Sequence, residues 1–548
     1  MRIALAQLNF VIGDFDRNIA KIVAIIEKCR QQQVDLVVFA ELSVCGYPPR
    51  DFLEFHDFVE KSYKAMDEIA LKCIGISAIV GAPSRNPDLK GKNLFNSAWL
   101  LTEGKVQTMV NKTLLPNYDI FDEYRYFEPN RQFNCIELKG IKIALTICED
   151  IWNTGPNPLY VASPMDMLSR QQPHLLINIA ASPFNYRQQQ ERLEVLKTNA
   201  LRYRIPVVYV NQVGAQTELL FDGNSCALDC EGNLVACCDS FREDIKMVDF
   251  DSKKNTLSSD TQAEKINPAK TTLIHDALVM GIQDYFEKMG FRKAILGLSG
   301  GIDSAVTLVL AAEALGNENV YAVLLPSEFS SGHSVEDAIA LAENLKCKYD
   351  KVSIRDGYDA LLSTLDPYFK GLPFDVTEEN IQARLRAVIL MALANKHGYI
   401  LLNTSNKSEA AVGYGTLYGD MCGGISVLGD VYKTEVYELA NFINREQEII
   451  PINSILKPPS AELRPGQKDS DSLPDYELLD QILYRYIDLR ESPTDIIKAG
   501  FDEAVVRRIL RMVNMNEWKR HQTPPILRVS GKAFGQGRRM PIVGRYLS

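Results

Sequence analysis

Short apolar runs alternate with amphipathic, helix-periodic stretches along this chain, and a polar segment near residue 260 interrupts the alternation. Runs such as "RIALAQL" and "IKIALTICED" have the length and composition of buried strands, and "DRNIAKIVAIIEKCRQQQ" has the period of a helix. Strands that are separated by helices predict parallel crossovers. The chain is therefore expected to be built of α/β domains.

The polar segment divides the chain into two predicted domains. At 548 residues the chain is too long for a single hydrophobic core. We predict a first domain over residues 1–250, a linker over 251–270 that includes "SKKNTLSSDTQAEKINPAK", and a second domain over 271–548. The strand–helix order after the linker predicts a doubly wound, Rossmann-like parallel sheet.

Charge and cysteine usage limit the partners of the chain. A formal net charge of -10 argues against a nucleic-acid partner, because phosphate contacts need clustered Lys and Arg. No stretch has the character of a membrane span, and the N-terminus reads as a first strand rather than a signal peptide. Eleven cysteines without regular spacing are typical of reduced thiols in the cytoplasm. We expect small-molecule substrates and a homo-oligomer.

Three chemically active side chains follow apolar runs in the first domain. Glu41 closes "VDLVVFAE", Lys112 closes "KVQTMVNK", and Cys148 precedes two acids in "LTICEDIW". A carboxylate at the end of a buried strand is costly without a partner, which favours a functional role. Glu41 as base, Cys148 as nucleophile and Lys112 at the oxyanion are able to hydrolyse an amide.

The cysteines of the first domain allow three other interpretations. Cys148 alone is by default a core residue, since buried cysteines are common. A Cys–His pair with His174 has no surrounding signature, although proximity in space is not visible in the sequence. A zinc site at Cys226 and Cys230 lacks histidines at ligand spacing.

Three segments in the first domain resemble the catalytic segments of the nitrilase (carbon–nitrogen hydrolase) superfamily. They are "FAELSVCGYPPRDFL", "NKTLLPNYDIFDEYRYF" and "LTICEDIW", and the match is closest to the glutaminase branch that is fused to NAD synthetases. The resemblance implies an αββα sandwich and a glutamyl thioester on Cys148. It also implies that Tyr118 and Ser182 bind glutamine and that Glu123 is a supporting acid. Relatives carry Lys or Arg six residues after that serine, where this chain has Gln188 beside Arg187.

The second domain opens with a glycine-rich strand-to-helix turn, "GLSGGIDS", that lacks the lysine of a common P-loop. Backbone N–H groups at a helix start attract phosphate, and the Ser299 and Ser304 hydroxyls can add donors. Asp303 would repel a bare polyphosphate, so its presence predicts Mg²⁺ between the carboxylate and the phosphate oxygens. A packing turn that needs glycine for its backbone is the plainer alternative.

The Ser-Gly-Gly-x-Asp-Ser pattern resembles the ATP pyrophosphatases, and the flanking segments resemble NAD synthetases. The latter are "EENIQARLRAVILMALAN", "LLNTSNKSEAAVGYGTLYGDMCGG" and "PSAELRPGQKDSDSLPDYELLD". The resemblance implies ATP as co-substrate, deamido-NAD as acceptor, and Mg²⁺ on Asp303 and Glu409. The ATP residues implied are Gly297, Leu298, Ser299, Gly300, Gly301, Ile302, Asp303, Ser304 and Thr404. The deamido-NAD residues implied are Asn380, Glu409, Tyr414, Gly415, Thr416, Leu417 and Lys532.

Two alternative functions remain open at this stage. Other ATP-pyrophosphatase amidotransferases share the loop, but asparagine synthetases place their cysteine at the processed N-terminus, where this chain has Arg2. Guanylate synthetases use a Cys–His glutaminase with flanking glycines, which Cys148 lacks. A non-catalytic nucleotide sensor predicts the loss of a nucleophile or a metal ligand, yet these residues are present.

Overall fold

The chain divides into two units, Met1–Asn267 and Pro268–Ser548, and each is described by itself. The computed structural model describes residues 1–88, 90–155, 158–260, 268–460, 462–467, 469–471 and 473–546. Residues 261–267 of the predicted linker, and positions 461, 468 and 472 of the segment that resembles NAD synthetases, lie outside the described residues.

The first unit contains two mixed sheets that pack against each other. Its strands in the described residues are β1 Arg2–Gln7, β2 Leu36–Val38, β3 Ser77–Arg85, β4 Leu94–Thr102, β5 Lys105–Asn111, β6 Ile136–Leu138, β7 Ile141–Ile147, β8 Leu175–Ala180, β9 Val207–Asn211, β10 Val213–Gln216, β11 Leu219–Asp222, β12 Cys226–Leu228, β13 Leu234–Cys237, β14 Asp244–Asp251 and β15 Thr256–Ser258. Its helices are α1 Phe15–Gln31, α2 His56–Lys72, α3 Glu123–Tyr126, α4 Pro164–Leu168 and α5 Gln188–Tyr203. The strand orders are β15-β14-β1-β2-β3-β4-β5 and β13-β12-β9-β8-β7-β6, with a separate β10–β11 hairpin.

The alternation of side chains along β1 shows how the layers form. Ile3 and Leu5 are fully buried and pack with β7 and β8 of the other sheet. Ala4 and Ala6 point to the opposite face and pack with α1 and α2. Because successive strand residues face opposite sides, both faces of this sheet are covered. With α5 packed on the second sheet, the αββα sandwich is confirmed.

Two features of the first unit differ from the sequence predictions. The strand β15 lies within residues 251–270, which were predicted as a linker, because Thr256–Ser258 pair antiparallel with β14. The short strands β10 to β13 and the helix α2 were not predicted as separate elements. The four strands have only three or four residues each, too few for a clear periodic signal, whereas α2 is a continuous amphipathic helix of 17 residues.

The second unit is built on a parallel sheet. Its described strands are β16 Ala294–Gly297, β17 Val320–Leu324, β18 Lys348–Lys351, β19 Ile400–Asn403 and β20 Ile425–Ser426. Its helices are α6 Lys270–Met289, α7 Ile302–Leu315, α8 Gly332–Asn344, α9 Arg355–Phe369, α10 Val376–His397, α11 Lys407–Val412, α12 Lys433–Ile443, α13 Ile452–Leu456, α14 Tyr476–Ile487, α15 Pro493–Lys498, α16 Glu503–Met515 and α17 Glu517–Arg520. The order β18-β17-β16-β19-β20, with all neighbours parallel, confirms the doubly wound fold.

The strand order places a crevice at the carboxyl end of β16. This strand lies between β17 and β19, so the chain winds in opposite directions on its two sides. Ligands of open α/β sheets bind at such a switch point. Among the residues that the structure describes, none of the helices is both long and apolar enough to cross a membrane.

The stability of the second unit is expected to depend on His275 in α6. Its ring nitrogens lie 2.9 Å from Asp276 and 3.0 Å from Glu313 of α7. Burial lowers the pKa of His275, but the two carboxylates outweigh this effect and raise the pKa from 6.5 to about 9. A raised histidine pKa stabilises the fold fully below pH 6.5, and this contribution is lost as the pH rises through 9.

We therefore expect His275→Gln to lower the thermal midpoint at pH 6 and to have a much smaller effect at pH 10. His333→Gln is the control, since that ring is 86% exposed. Equal losses for His275→Gln at both pH values would contradict this assignment.

Candidate functional site

The first candidate site surrounds Lys112, which is fully buried directly after β5. Its Nζ lies 2.7 Å from Glu41 Oε1 and 2.7 Å from Glu123 Oε2. Burial lowers the pKa of Lys112, but the charges of Glu123 and Glu41 outweigh it and hold the pKa well above its ordinary value. The ammonium group is thus a fixed positive charge between two carboxylates.

Glu41 is held by donors from three directions. Its Oε1 accepts the Lys112 ammonium and the Asn96 amide, each at 2.7 Å. Its Oε2 accepts the Ala181 N–H at 2.9 Å. On the far side of Lys112, Glu123 Oε1 accepts the Tyr47 hydroxyl at 2.9 Å. The positions of both carboxylates are therefore fixed by the core.

Cys148 lies at the point where β7 leaves the sheet. Its φ of 43° is in the left-handed region, which is strained for a residue with a side chain. Burial raises the pKa of the thiol well above its ordinary value; Glu41 raises it further, whereas Lys112 lowers it. A thiol that stays protonated needs a base to become a nucleophile. The Glu41 carboxylate, whose charge acts on this thiol, is the candidate base.

Asp150 connects the Cys148 turn to the segment after Lys112. Its Oδ1 accepts the N–H groups of Thr113 and Leu114 at 2.9 and 2.8 Å, and its Oδ2 accepts that of Ile147 at 3.1 Å. Burial raises the pKa of Asp150 to about 6, although these backbone donors oppose the rise. The structure therefore brings together Glu41, Lys112 and Cys148, as predicted.

The residues expected to bind glutamine lie in the same unit. Tyr118 is 42% exposed and donates its hydroxyl to Glu149 Oε1 at 2.9 Å. Ser182 is buried after β8, and its N–H donates to Asn211 at 2.8 Å. Gln188 is the first residue of α5 and accepts the Asn185 amide, while the Arg187 guanidinium lies over the Tyr186 ring. Arg187 and Gln188 therefore both lie at the start of α5.

Glu149 is a site residue that sequence reasoning missed. It is buried, and its Oε1 accepts the hydroxyls of Tyr118 and Tyr160 at 2.9 and 3.1 Å. Burial raises its pKa, while Lys112 and the two hydroxyls oppose the rise. The only signal in the sequence was its position beside Cys148.

The second candidate site is the glycine-rich loop between β16 and α7. Gly300 has a φ of 80°, and a Cβ there would lie 2.1 Å from the Ser334 carbonyl oxygen, so only glycine fits. The Ser304 hydroxyl donates to the Gly301 carbonyl at 3.0 Å and lies 3.1 Å from Ser299 Oγ. The serines thus shape the loop itself, in addition to the donor role predicted for them.

Two adjoining cavities open at this loop, with volumes of about 270 and 190 Å³. They share Ser299, Gly301 and Thr404, and the smaller also contains Asp303, Ile302, Ser304, Glu409 and Tyr414. Gly297 and Leu298 line the larger one. Most of the residues predicted to contact ATP therefore border one crevice at the switch point beside β16.

A buried lysine joins the two predicted metal ligands. Lys433, the first residue of α12, contacts Asp303 Oδ2 and lies 3.7 Å from Glu409 Oε1. Asn406 donates to the other oxygen of Asp303 at 2.9 Å. Burial and the charge of Asp303 raise the pKa of Glu409 to about 8, in spite of Lys433. Lys433 was not predicted, because only the fold brings it to Asp303.

Of the remaining predicted residues, Gly415, Thr416 and Leu417 lie in the loop that follows α11, and Asn380 lies on α10. The Thr416 hydroxyl donates to Asn380 at 2.7 Å, and its N–H donates to Asp420, which lines both cavities. Lys519 Nζ donates to the Gly415 carbonyl at 3.1 Å, and Arg384 donates to the Leu417 carbonyl at 3.1 Å. These hydrogen bonds hold the "YGTL" segment from two sides.

Lys532 is not among the described residues that line the two cavities. Its carbonyl accepts the buried Lys407 ammonium at 3.0 Å. Nearby Arg538 is buried and pairs with Glu517 at 2.7 Å. The basic C-terminal run is therefore partly structural and is not simply a solvated patch.

Comparisons with known proteins cover both units. The carbon-nitrogen hydrolase family model matches residues 2–256, and the NAD synthase family model matches residues 274–523. The glutamine-dependent NAD(+) synthetase of Synechocystis is 44% identical over 98% of each chain. The Thermotoga maritima enzyme of the same name is 39% identical over 100% of this chain and 99% of its own.

A solved structure also matches along the whole chain. The glutamine-dependent NAD+ synthetase of Acinetobacter baumannii, in complex with adenosine diphosphate, has a TM-score of 0.79 at 38% identity and covers 99% of this chain and 98% of its own. The enzyme from Cytophaga hutchinsonii has a TM-score of 0.85 at 21% identity, which supports the fold alone. On these matches, the chain belongs to the family of glutamine-dependent NAD(+) synthetases.

Proposed function

We propose that this chain converts deamido-NAD to NAD, with ATP as the activating substrate and glutamine as the nitrogen donor. Glutamine-dependent NAD(+) synthetases match this chain from end to end. The observation that carries the proposal is that the chain contains both an acid–lysine–cysteine centre and a glycine-rich phosphate loop. NAD formation should require ATP, deamido-NAD and a nitrogen source together. If omission of ATP left NAD formation unchanged, the proposal would be wrong.

The first site supplies ammonia. Glu41 takes the proton of Cys148, whose sulfur attacks the side-chain carbonyl of glutamine. Lys112 stabilises the negative oxygen of the tetrahedral intermediate, because its charge is already fixed between two carboxylates. Glu41 gives the proton to the leaving nitrogen as the intermediate collapses, so ammonia is released and a glutamyl thioester remains, which water then hydrolyses. Glu41 is positioned to activate that water in turn.

The second site activates the nicotinate carboxylate. The loop from Gly297 to Ser304, with Thr404, holds the ATP phosphates, and Asn380, Glu409, the "YGTL" run and Lys532 hold deamido-NAD. The carboxylate attacks the α-phosphorus of ATP, and pyrophosphate leaves. Ammonia then displaces AMP from the acyl-adenylate, which leaves the amide of NAD. The protein contributes mainly orientation and charge stabilisation.

The donor set at Asp303 and Glu409 fits Mg²⁺. Both carboxylates face one cation, Lys433, and burial together with the repulsion between the carboxylates raises the pKa of Glu409. Mg²⁺ prefers oxygen ligands and is usually held by one or two carboxylates together with substrate phosphates and water. When bound, the ion would neutralise charge on the polyphosphate as pyrophosphate leaves.

We assign Glu149 to the α-ammonium group of glutamine. It is buried beside the nucleophile, and two tyrosine hydroxyls orient it. In the described part of the chain its hydrogen bonds come from these neutral hydroxyls, and a buried carboxylate of this kind is a favourable partner for a substrate cation. Tyr118 and Ser182 are proposed to complete the glutamine pocket, with Arg187 or Gln188 at its edge.

We expect Glu149→Gln to raise the KM for glutamine by at least about tenfold, because a hydrogen bond to a charged group contributes about 1.5–3 kcal/mol. NAD formation from ammonium should not change. The measurement is the NAD rate over a glutamine series, with Glu137→Gln on the exposed edge of β6 as the matched control. An unchanged KM for glutamine would rule out this role.

The cellular setting and the assembly state are also proposals. The eleven cysteines, which all lie in described residues, are free thiols, as expected for a cytoplasmic protein. Tyr368, Leu372, Phe374 and Val376 are each at least half exposed between α9 and α10. An apolar surface of this kind favours a homo-oligomer.

A further inference from the structure

A cavity of about 470 Å³, here called the amino-end cavity, lies at the start of β7 and β8. Its lining includes Lys142 on β7, His174 directly before β8, and Tyr203 and Arg204 at the end of α5. Cys148 follows the opposite end of β7. Cys148 lies six residue steps along the strand direction from Lys142, a distance of about 20 Å. The amino-end cavity is therefore not part of the glutaminase centre.

The charge of the amino-end cavity has one sign. Lys142 and Arg204 contribute two positive charges, and no carboxylate lines the cavity among the described residues. Asp251 lies next to the lining residue Ser252 in sequence, but its Oδ1 accepts the backbone N–H groups of Lys253 and Lys254. The cavity therefore favours an anion of about two negative charges.

Several donors of the amino-end cavity are free for a ligand. Within the described residues, the Arg204 guanidinium has no hydrogen-bond or ion-pair partner, and Lys142 Nζ donates only to the Gln171 carbonyl at 2.8 Å. His174 Nδ1 accepts the Lys142 N–H at 3.0 Å, so the proton of a neutral ring is on Nε2. That Nε2–H group has no partner in the described structure.

The shape and chemistry of the lining indicate a phosphate ester. A guanidinium group and an ammonium group suit tetrahedral phosphate, the first as a fork and the second as a point charge. A phosphate monoester carries about -1.5 to -2 charges at pH 7, which matches the two cations. The volume is in the range of small-molecule pockets and exceeds what a free phosphate fills. Pro173, Tyr203 and Ile205 provide apolar surface for an organic part.

We propose that the amino-end cavity is a binding site for a small phosphate monoester, separate from both catalytic sites. The ligand contacts Lys142, near the start of β7, and His174, directly before β8; Cys148 follows the far end of β7, and Ser182 lies two residues past the far end of β8. A ligand there is thus bound to the same two strands that carry the glutaminase residues, but at their opposite ends.

Hydrogen exchange of the full-length protein tests this proposal, with glucose 6-phosphate at millimolar concentration as the probe. We expect protection of the α5 end and of the β14–β15 turn, and at least about tenfold weaker binding at this site in Arg204→Gln. Arg202→Gln is the matched control, because Arg202 lies on α5 but pairs with Asp166 outside the cavity. Because hydrogen exchange is measured peptide by peptide, binding at this site is distinguished from binding at the phosphate loop of the other unit.

Comparison anions distinguish the possible ligands. Inorganic phosphate, succinate and sodium chloride at matched ionic strength should give weaker or no local protection. Equal protection by succinate or chloride would overturn the phosphate assignment, and protection by inorganic phosphate alone would overturn the ester assignment. The proposal also fails if glucose 6-phosphate protects neither segment, or if Arg204→Gln binds it as wild type does.

Discussion

Replacement of Asp303 with asparagine is expected to reduce NAD formation by at least about 10²-fold, with glutamine or with ammonium as the nitrogen donor. The variant removes one of the two carboxylates that face Lys433 in the phosphate-loop crevice. With one charge fewer, the crevice should hold Mg²⁺ more weakly next to the polyphosphate. Asparagine keeps the size of the side chain, so the loop and α7 should remain folded.

The measurement is the rate of NAD formation over a Mg²⁺ series, with thermal midpoints to confirm folding. Higher Mg²⁺ should recover part of the Asp303→Asn rate. Glu503→Gln is the control, since Glu503 also lies in the first turn of a helix but is 60% exposed and pairs with Arg507. A wild-type rate for Asp303→Asn at low Mg²⁺ would show that this carboxylate has no part in ATP activation.

Residues of the glutaminase centre were predictable where a chemically active side chain lies at the end of an apolar run. Glu41 lies three residues past β2 and Cys148 directly follows β7, and in both cases the residue closes an apolar run that is visible in the sequence. Asn96 and Tyr47 were not predictable in the same way. They are ordinary polar residues within or between elements, and their roles arise from contacts with Glu41 and Glu123 across the fold.

In the synthetase site, even more of the important contacts join residues that are far apart in sequence. The strand–turn–helix pattern located the loop, and Gly300 is required there by its backbone and by the nearby Ser334. Lys433 is 130 residues away from Asp303 in sequence, so no local pattern connects them. The amphipathic helices α12, α14 and α16 were not predicted as elements, although their buried faces complete the second unit.

The linker illustrates why boundaries are hard to predict. Polar composition and absent periodicity predicted a linker from residue 251, yet Thr256–Ser258 form a strand. A three-residue edge strand gains its stability from pairing with β14 and carries only Leu257 into the core. Such a short segment has too few residues for a periodic signal.

Cys148 is proposed to release, from glutamine, the ammonia that a separate ATP-dependent site uses. Cys148→Ala removes the nucleophile, so glutamine-driven NAD formation should fall by at least about 10⁴-fold. Cys148 is buried, but it occupies the edge of the core, and alanine also fits its backbone region poorly; a thermal midpoint therefore accompanies the assay. Cys230→Ala, at a partly exposed cysteine, is the matched control.

The decisive measurement is the rate of NAD formation by Cys148→Ala with saturating ammonium in place of glutamine. We predict that the variant keeps the wild-type ammonium-driven rate while it loses the glutamine-driven rate. Loss of both rates in a folded variant, or retention of the glutamine-driven rate, would contradict the assignment of ammonia release and ATP-dependent amidation to two separate sites.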